Sequence, residues 1–546
     1  ISTNSHGAVV TNIFYIAVNE LTYGDGGRWG KWSDGGGSSL ELTDPDSDNR
    51  YAANWADSDE SSKSVWTAID VTDVMENGQT GIVNEGDTGQ ATANRFELFL
   101  QGEGEAILDD MVFLSNGGAN LVANGDFASG TNNWVLGGVL RRSYAENNAG
   151  SGGSAALHLV SAGRGDTGPN KISQLLSSTA ATGAPNTGTM RAQVRWLKGD
   201  PYVLLRMRGN WMEVSQRLNV PTNLGTPGLP NSRLIANAGP AITDVAHAPV
   251  LPAAGQSVVV TARAADPDGV GSLTLNFRVD PATTYTSVAM LDNGTGGDAV
   301  ANDGIYSATI PGQADSTLAA FYVTATDGLG ASKLFPAEAP TRECHVRWGE
   351  SVIAGSIGTY RIWVTAANIA FWTARERNAN DTIDATFVYG NFRAVYNVDT
   401  MYSGSPFHTP AYNGPLASIA SDYEVNFHPD ELFLGSKAFV LTAFDVADGN
   451  FFFNDDSGQV DLTGNWIARK LGQQYNYRRH INVFMNGQRR GTIYDDAQQP
   501  NGEMLDEYFS GTDTELRKIE SWFEFAADGQ AMGSVYATLK QVNKST

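Results

Sequence analysis

Cysteine, basic residues and long apolar runs are all scarce in this sequence. Cys344 is the one cysteine among 546 residues, so no intramolecular disulfide can form, and we expect a small core residue at that position. Lys and Arg total 36 against 60 Asp and Glu, a formal net charge of −24. Phosphate contacts need clustered basic residues, so nucleic-acid binding is not expected. No run approaches the ~18 apolar residues of a membrane span.

Glycine, in contrast, is abundant, with 60 residues, and short alternating apolar runs lie between turn residues. This texture is typical of β-sandwiches and barrels. At about 100–200 residues per domain the length gives three to five domains. We therefore predict a mainly-β multidomain protein. The acidic excess and scarce cysteine suit a secreted or cell-surface protein, and we expect one of bacterial type.

An internal repeat marks the first part of the chain. The echoed segments are residues 36–42 with 152–159, and residues 95–102 with 191–199. Each of these segments has the alternation of apolar and polar residues that predicts a strand. The two kinds of segment occur in the same order in residues 1–118 and in residues 119–233. The repeat predicts two related β-sandwiches, over residues 1–118 and 119–233.

The second of these units opens with Asn124-Gly125-Asp126-Phe127, followed by Trp134. This pattern resembles the opening of galactose-binding-like jelly rolls, the fold of many carbohydrate-binding modules. In the first unit, residues 107–112 resemble the closing strand of such modules. The resemblance implies two jelly-roll (galactose-binding-like) sandwiches with glycans as partners. Proline and glycine at residues 221–231 then predict a linker.

A third domain is predicted over residues 234–348. Its clearest strands lie at residues 257–262, 273–279 and 319–325. Short strands at this spacing predict an immunoglobulin-like or fibronectin-like sandwich.

The last region, residues 349–546, has α+β character. Asp461 is placed to cap a helix that Gly472 ends, and Asn501 to cap a second helix. Between them, Asn486-Gly487 predicts a tight hairpin, because both positions tolerate φ > 0.

Residues 434–437, 466–472 and 483–494 carry a resemblance in this region. The last of these segments resembles a pattern of the CotH spore-coat kinase family: a hydrophobic strand, Asn-Gly, a short polar stretch, and then Gly and Tyr. This chain has one more residue between that Gly and Tyr494 than the family pattern has. The resemblance implies the nucleotide-covering lobe and the beginning of a second lobe. ATP and Mg²⁺ are expected only where a complete kinase domain exists.

The parts that phosphoryl transfer needs are incomplete in this chain. It needs a Lys for the phosphates, metal-binding acids and a catalytic Asp, and in the family the acidic motifs lie further downstream than Thr546. Residues 421–427 are acidic where the family has its Lys, with Arg361 and Lys437 as candidate substitutes. Gln498 takes the place of the family's acid. We therefore predict a CotH kinase-like partial domain with no catalytic residue and an incomplete C-lobe.

Two acidic loops are candidates for Ca²⁺ ligands, since a turning loop can converge alternate carboxylates on one ion. The candidate ligands are Asp44, Asp46 and Asp48 in the first loop, and Asp292, Asp298 and Asp303 in the second. Neither loop has EF-hand spacing. The alternative is a pair of solvated turns, which β proteins build from Asp, Asn and Gly.

Tryptophans crowd the beginning of the chain. Trp29 and Trp32 are candidates for glycan stacking, and Trp55 and Trp66 lie nearby in sequence. The alternative is that these indoles form part of a sandwich core.

Three functions fit these observations. The first is an extracellular or cell-surface structural and adhesive protein that binds glycans or other matrix proteins and assembles with itself into an oligomer or fibre. The second is an exported CotH-type protein kinase whose catalytic lobe is missing from this chain. The third is a carbohydrate-binding protein.

Overall fold

The computed structural model describes residues 2–3, 9–10, 19–24, 26–75, 92–163, 169–208, 211–376, 379–403, 413–418, 421–443, 459–509, 516–520 and 538–541. Strands dominate these ranges. They form a large sandwich, a smaller sandwich and a closed barrel, each with its own hydrophobic core. The predicted mainly-β multidomain fold is confirmed. No helix in these ranges is long and apolar enough to cross a membrane.

The large sandwich packs two five-stranded sheets face to face. Its strands are β5 (Trp66–Val74), β6 (Arg95–Leu100), β7 (Gly104–Ser115), β8 (Val135–Leu136), β9 (Tyr144–Glu146), β10 (Ala156–Ser161), β11 (Ile172–Leu175), β12 (Thr187–Gly199), β13 (Tyr202–Met207) and β14 (Glu213–Arg217). One sheet has the order β5-β12-β7-β10-β9 and the other β14-β13-β6-β11-β8. Short two-stranded ladders form elsewhere from β1 (Ser2–Thr3) and β2 (Val9–Val10), β3 (Leu40–Leu42) and β4 (Trp55–Asp57), and β30 (Arg517–Glu520) and β31 (Thr538–Gln541).

The prediction of two separate sandwiches at the start of the chain is wrong. β12 lies between β5 and β7, so Met190 stands opposite Val71 on one side and Phe113 on the other. A single core runs from Ile69 to Leu218. The echoed strands β6 and β12 belong to facing sheets of this core, which accounts for their similar alternation. Alternation specifies which face is buried but not which strand is the partner.

The predicted linker at residues 221–231 is bound to the sandwich. The Gly225 amide donates to Glu60 Oε1 at 3.1 Å, and Asn231 Nδ2 donates to the Leu42 carbonyl at 2.9 Å. Its Pro and Gly residues therefore shape a segment that covers β3.

The smaller sandwich is immunoglobulin-like. Its strands are β15 (Ala241–Ala248), β16 (Val258–Ala265), β17 (Val270–Val279), β18 (Thr286–Met290), β19 (Ile305–Ile310), β20 (Leu318–Asp327), β21 (Ser332–Phe335) and β22 (Cys344–Arg347). One sheet is β15-β16-β19, and the other is β18-β17-β20-β21, with β22 also paired to β20. The three predicted strands coincide with β16, β17 and β20. Cys344 is buried in this core, as expected of a small core residue.

The C-terminal unit is a closed seven-stranded barrel. Its strands are β23 (Gly358–Trp363), β24 (Ile383–Tyr389), β25 (Arg393–Tyr402), β26 (Tyr423–Asn426), β27 (Ala438–Ala443), β28 (Arg478–Met485) and β29 (Gln488–Gln498). Their order is β23-β24-β25-β26-β27-β29-β28, and the parallel pairing of β28 with β23 closes the ring. Closure leaves the barrel without a free sheet edge. Aromatic side chains, including Tyr360, Phe387 and Phe439, fill its core.

Within the described ranges, three helices accompany the barrel: α1 (Ala366–Ala374), α2 (Val460–Lys470) and α3 (Gly502–Tyr508). The side chain of Asn501 accepts from the Met504 amide and caps α3, as predicted. The prediction that Asp461 caps α2 is wrong: Gln459 occupies the N-cap, and Asp461 lies two positions later, in the first turn. The Asn486-Gly487 hairpin is confirmed, with φ of 46° and 77° between β28 and β29.

Candidate functional site

The acidic loop between β18 and β19 brings its three predicted ligands together. One carboxylate oxygen each from Asp292, Asp298 and Asp303 lies within 4.8 Å of the others. Calcium takes oxygen ligands at about 2.3–2.6 Å, so three oxygens at this separation can contact one ion. This is the one group of three or more His, Cys, Asp or Glu with that geometry in the part of the chain that the structure describes.

Backbone amides hold the three carboxylates in place. Asp298 accepts from the Gly294 amide at 2.5 Å and from the Val300 amide at 3.1 Å. Asp292 accepts from the amides of Asp303 and Gly304 at 3.2 and 2.9 Å. The carboxylates that would bind an ion are thus the same groups that hold the loop backbone in its conformation.

The tight path of this loop depends on glycine. Gly297 has φ of +110°, and a Cβ there would lie 2.4 Å from Cγ1 of Val259. Hydrogen bonding from the Gly294 amide, more than any other contact, lowers the pKa of Asp298 below its usual value. The loop therefore presents an ionised, largely buried carboxylate beside the half-buried Asp292 and the exposed Asp303.

The other predicted calcium loop does not converge. Asp44 is buried, and its Oδ2 accepts from the Ala238 amide at 2.9 Å. Asp48 forms an ion pair with Arg50 at 2.6 Å, and Asp46 is exposed. These three carboxylates form no common ligand set. The three carboxylates do not converge as expected, because Asp44 accepts from the Ala238 amide of the next domain and Asp48 pairs with Arg50.

The candidate glycan tryptophans are half-buried and have different neighbours. The Trp29 ring lies 6.2 Å from that of Trp55, at an interplanar angle of 47°. Trp32 has the ammonium groups of Lys31 and Lys198 at 5.6 and 5.9 Å from its ring centroid. Neither Trp29 nor Trp32 belongs to the sandwich core. Stacking of a glycan on these indoles stays a prediction.

In the C-terminal region, Arg361 has a structural role. It is buried, its Nε lies 2.8 Å from Glu350 Oε2, and it donates to the Gly390 and Ser351 carbonyls at 2.8 and 2.7 Å. These contacts occupy the guanidinium that was a candidate for binding phosphates. The role of Lys437 as the other candidate substitute stays a prediction.

The sequence reasoning missed a cluster at one end of the barrel. Arg479 Nε donates to Asp496 Oδ2 at 2.8 Å, and the Tyr360 hydroxyl donates to the same oxygen at 2.6 Å. Burial raises the pKa of Asp496, against the opposing charge of Arg479. The two-residue spacing of Tyr477 and Arg479 indicates that both side chains lie on one face of an extended strand. The pairing with β29 was needed to place Asp496 beside them.

Comparison with known proteins adds little. No family model matches the sequence, and no curated protein matches it. A solved DUF4785 family protein from Legionella pneumophila is 8% identical over 67% of this chain and 76% of its own, with a TM-score of 0.15. The full ectodomain of mouse nectin-like molecule 4 is 11% identical over 59% of this chain and 88% of its own, with a TM-score of 0.13. At these values neither likeness carries an argument about function.

Proposed function

We propose that this chain is a structural and adhesive protein that works outside the cell, as a rigid scaffold whose modules contact glycans or other matrix proteins. The observation that carries the proposal is the burial of charged side chains in the contacts between its three β units. Contacts between domains of one chain usually resemble transient interfaces and permit relative motion. Paired charges in these contacts, of which Arg342 and Asp381 are buried, instead favour one arrangement, which suits a spacer.

Arg342 lies at the centre of the contact between the immunoglobulin-like domain and the barrel. Its Nη1 donates to Asp399 Oδ1 at 2.8 Å, and its Nη2 lies 3.3 Å from Asp384 Oδ1. Its Nε donates to Asn397. Arg342 is buried and only 8% of the Asp384 side chain is exposed, so separating the two units would take the guanidinium from its carboxylate partners.

The large sandwich also contacts the barrel through ion pairs. Arg141 Nε donates to Asp381 Oδ2 at 2.8 Å, and the Arg141 guanidinium lies 4.3 Å from the Phe371 ring centroid. At a second contact, Arg28 Nη2 donates to Glu431 Oε2 at 2.6 Å. The first and last units thus touch each other as well as the domain between them, and a triangular set of contacts resists hinging.

Self-assembly through strand addition is part of the proposal. β14 and β8 end one sheet of the large sandwich, and β18 ends a sheet of the smaller one. Unpaired strand edges accept another strand through main-chain hydrogen bonds. The closed barrel has no such edge, so we expect fibres or oligomers to form through the sandwiches.

The proposal is tested by small-angle X-ray scattering of the full chain, with light scattering to follow assembly. We expect a single rigid particle, and Arg342→Ala should increase the maximum dimension and flexibility. Arg263→Ala is the matched control, because its pair with Asp244 at 3.3 Å is exposed and lies within one domain. A wild-type profile of independently moving units would contradict the scaffold. Phosphotransfer from labelled ATP to protein would favour the kinase instead.

A further inference from the structure

A cavity of about 380 Å³ lies at the end of the barrel beside α3, and the functions described above do not use it. Its floor is aromatic: Phe433 and Phe439 are buried, with ring centroids 5.9 Å apart. Tyr477 lines the cavity with 45% of its surface exposed. The cavity therefore offers flat apolar rings, one of them at an accessible position.

Charged groups converge on the same cavity. Asp496 lines it and is only 3% exposed. Its contacts with Tyr360 and Arg479 both use Oδ2, and no described residue donates to Oδ1. Oδ1 is not among the fully buried side-chain oxygens that lack a partner, so this oxygen is open to a ligand or water. Oδ1 is thus an acceptor that the protein itself leaves unused.

Arg479 supplies the matching donors. Its Nε binds Asp496, and its guanidinium lies 5.3, 5.9 and 5.4 Å from the ring centroids of Tyr360, Tyr389 and Tyr477. These rings lie around the guanidinium, and among the described residues no oxygen accepts from its two Nη groups. A fixed fork of N–H donors beside a carboxylate acceptor can bind adjacent hydroxyl groups.

Gln498 positions the accessible ring. Its Oε1 accepts from the Tyr477 amide at 2.9 Å, and its Nε2 lies 3.4 Å from Oε2 of Glu507 on α3. Gln498 therefore links the backbone of Tyr477 to both β29 and α3. Two carboxylates, Asp496 and Glu507, line the cavity against the single cation Arg479. That balance repels a phosphate-bearing ligand and favours a neutral one.

We propose that this cavity binds a neutral saccharide unit, with its apolar face on Tyr477 and its hydroxyls on Arg479 and Asp496. A pyranose ring has one face of C–H groups and a rim of adjacent hydroxyls, and the cavity matches both. The inference rests on the adhesive function proposed above and names its ligand class. It places the glycan site on the barrel, away from the predicted Trp29 and Trp32.

The full chain should be tested on an array of immobilised neutral oligosaccharides built from hexose and N-acetylhexosamine units. We expect binding that falls about tenfold in Tyr477→Ala, in line with the energy of a ring contact. Tyr477→Phe keeps the ring and should retain binding. Tyr202→Ala removes a similarly exposed tyrosine, 41% accessible, from the large sandwich and should change nothing.

Three results would overturn the inference: no binding to any neutral oligosaccharide, binding unaffected by Tyr477→Ala, or displacement of bound oligosaccharide by Mg·ATP. Loss of binding in Trp32→Ala with full binding in Tyr477→Ala would support the adhesive function but place the glycan site at Trp32. Should Tyr477→Ala lower the melting temperature, Glu507→Ala gives an independent measure at an exposed position on the cavity rim, where we expect weaker binding.

Discussion

The ammonium group of Lys171 lies 2.7 Å from Oε1 of Glu97 inside the large sandwich, where both side chains are almost fully buried. Arg206 donates to the other oxygen of the same carboxylate through Nε at 2.8 Å. One carboxylate thus pairs with two buried cations, one on β13 and one immediately before β11. Residues around this triad, from 69 to 218, form a single core, so a change in Glu97 should affect the stability of the whole sandwich.

We expect Glu97→Gln to destabilise the chain by about 3–5 kcal/mol, because two buried cations lose their counter-charge. Asp70→Asn is the matched control, since its pair with Arg191 on the same sandwich is exposed, and it should cost at most about 1 kcal/mol. Urea denaturation followed by fluorescence measures both. Equal effects of the two substitutions would contradict the importance of the triad.

Glu97 should also contribute to acid unfolding. Burial alone would raise its pKa, but Arg206 and Lys171 lower the pKa of Glu97 to about 2 from 4.5. A carboxyl with a depressed folded-state pKa adds stability that is present above pH 4.5 and is lost as the pH falls toward 2. We expect the stability difference between wild type and Glu97→Gln to shrink over that window. A difference that stays constant from pH 6 to pH 2 would refute this account.

His158 should stabilise the protein more at low pH than at high pH, the reverse of Glu97. Burial lowers its pKa, but hydrogen bonds to Glu105 and Glu146, at 3.1 and 2.8 Å, outweigh burial and raise the pKa of His158 above 6.5. Its contribution is complete below pH 6.5 and is lost as the pH rises through the folded-state pKa. Wild type should therefore exceed His158→Gln in melting temperature more at pH 5.5 than at pH 8.5. The reverse order would exclude a protonated His158 between the two glutamates.

Calcium should stabilise the immunoglobulin-like domain through Asp292, Asp298 and Asp303. At a free concentration about 100 times the Kd, binding would add about 2.7 kcal/mol. We expect the melting temperature to rise with CaCl₂ and fall with EGTA, and Asp298→Asn to abolish the difference. Asp268→Asn, at an exposed turn of the same domain, should keep it. A wild-type melting temperature that neither reagent moves would remove the calcium proposal.

Local sequence signals predicted local structure well. Asn486-Gly487 forms the expected hairpin, Asn501 caps α3, and the strands around 257–262, 273–279 and 319–325 lie where alternation placed them. Of the two predicted metal loops, the second gathers its carboxylates, because its ligands lie within 12 residues on a loop rich in glycine. The first does not, because Asp44 is drawn to the Ala238 amide, a partner almost 200 residues away.

Composition and short-range pattern by themselves determined that these 546 residues are acidic, rich in strands and without a pair of cysteines for an internal disulfide, and where many turns and caps fall. Only the tertiary structure decided that β12 inserts between β5 and β7, that seven strands close into a barrel, and that Arg479, Asp496 and Tyr477 share one cavity. A turn or cap is set by the φ and ψ preferences of a few neighbouring residues. The choice of a strand's partner is set by packing and hydrogen bonds between segments far apart in the chain, which alternating strands leave undetermined.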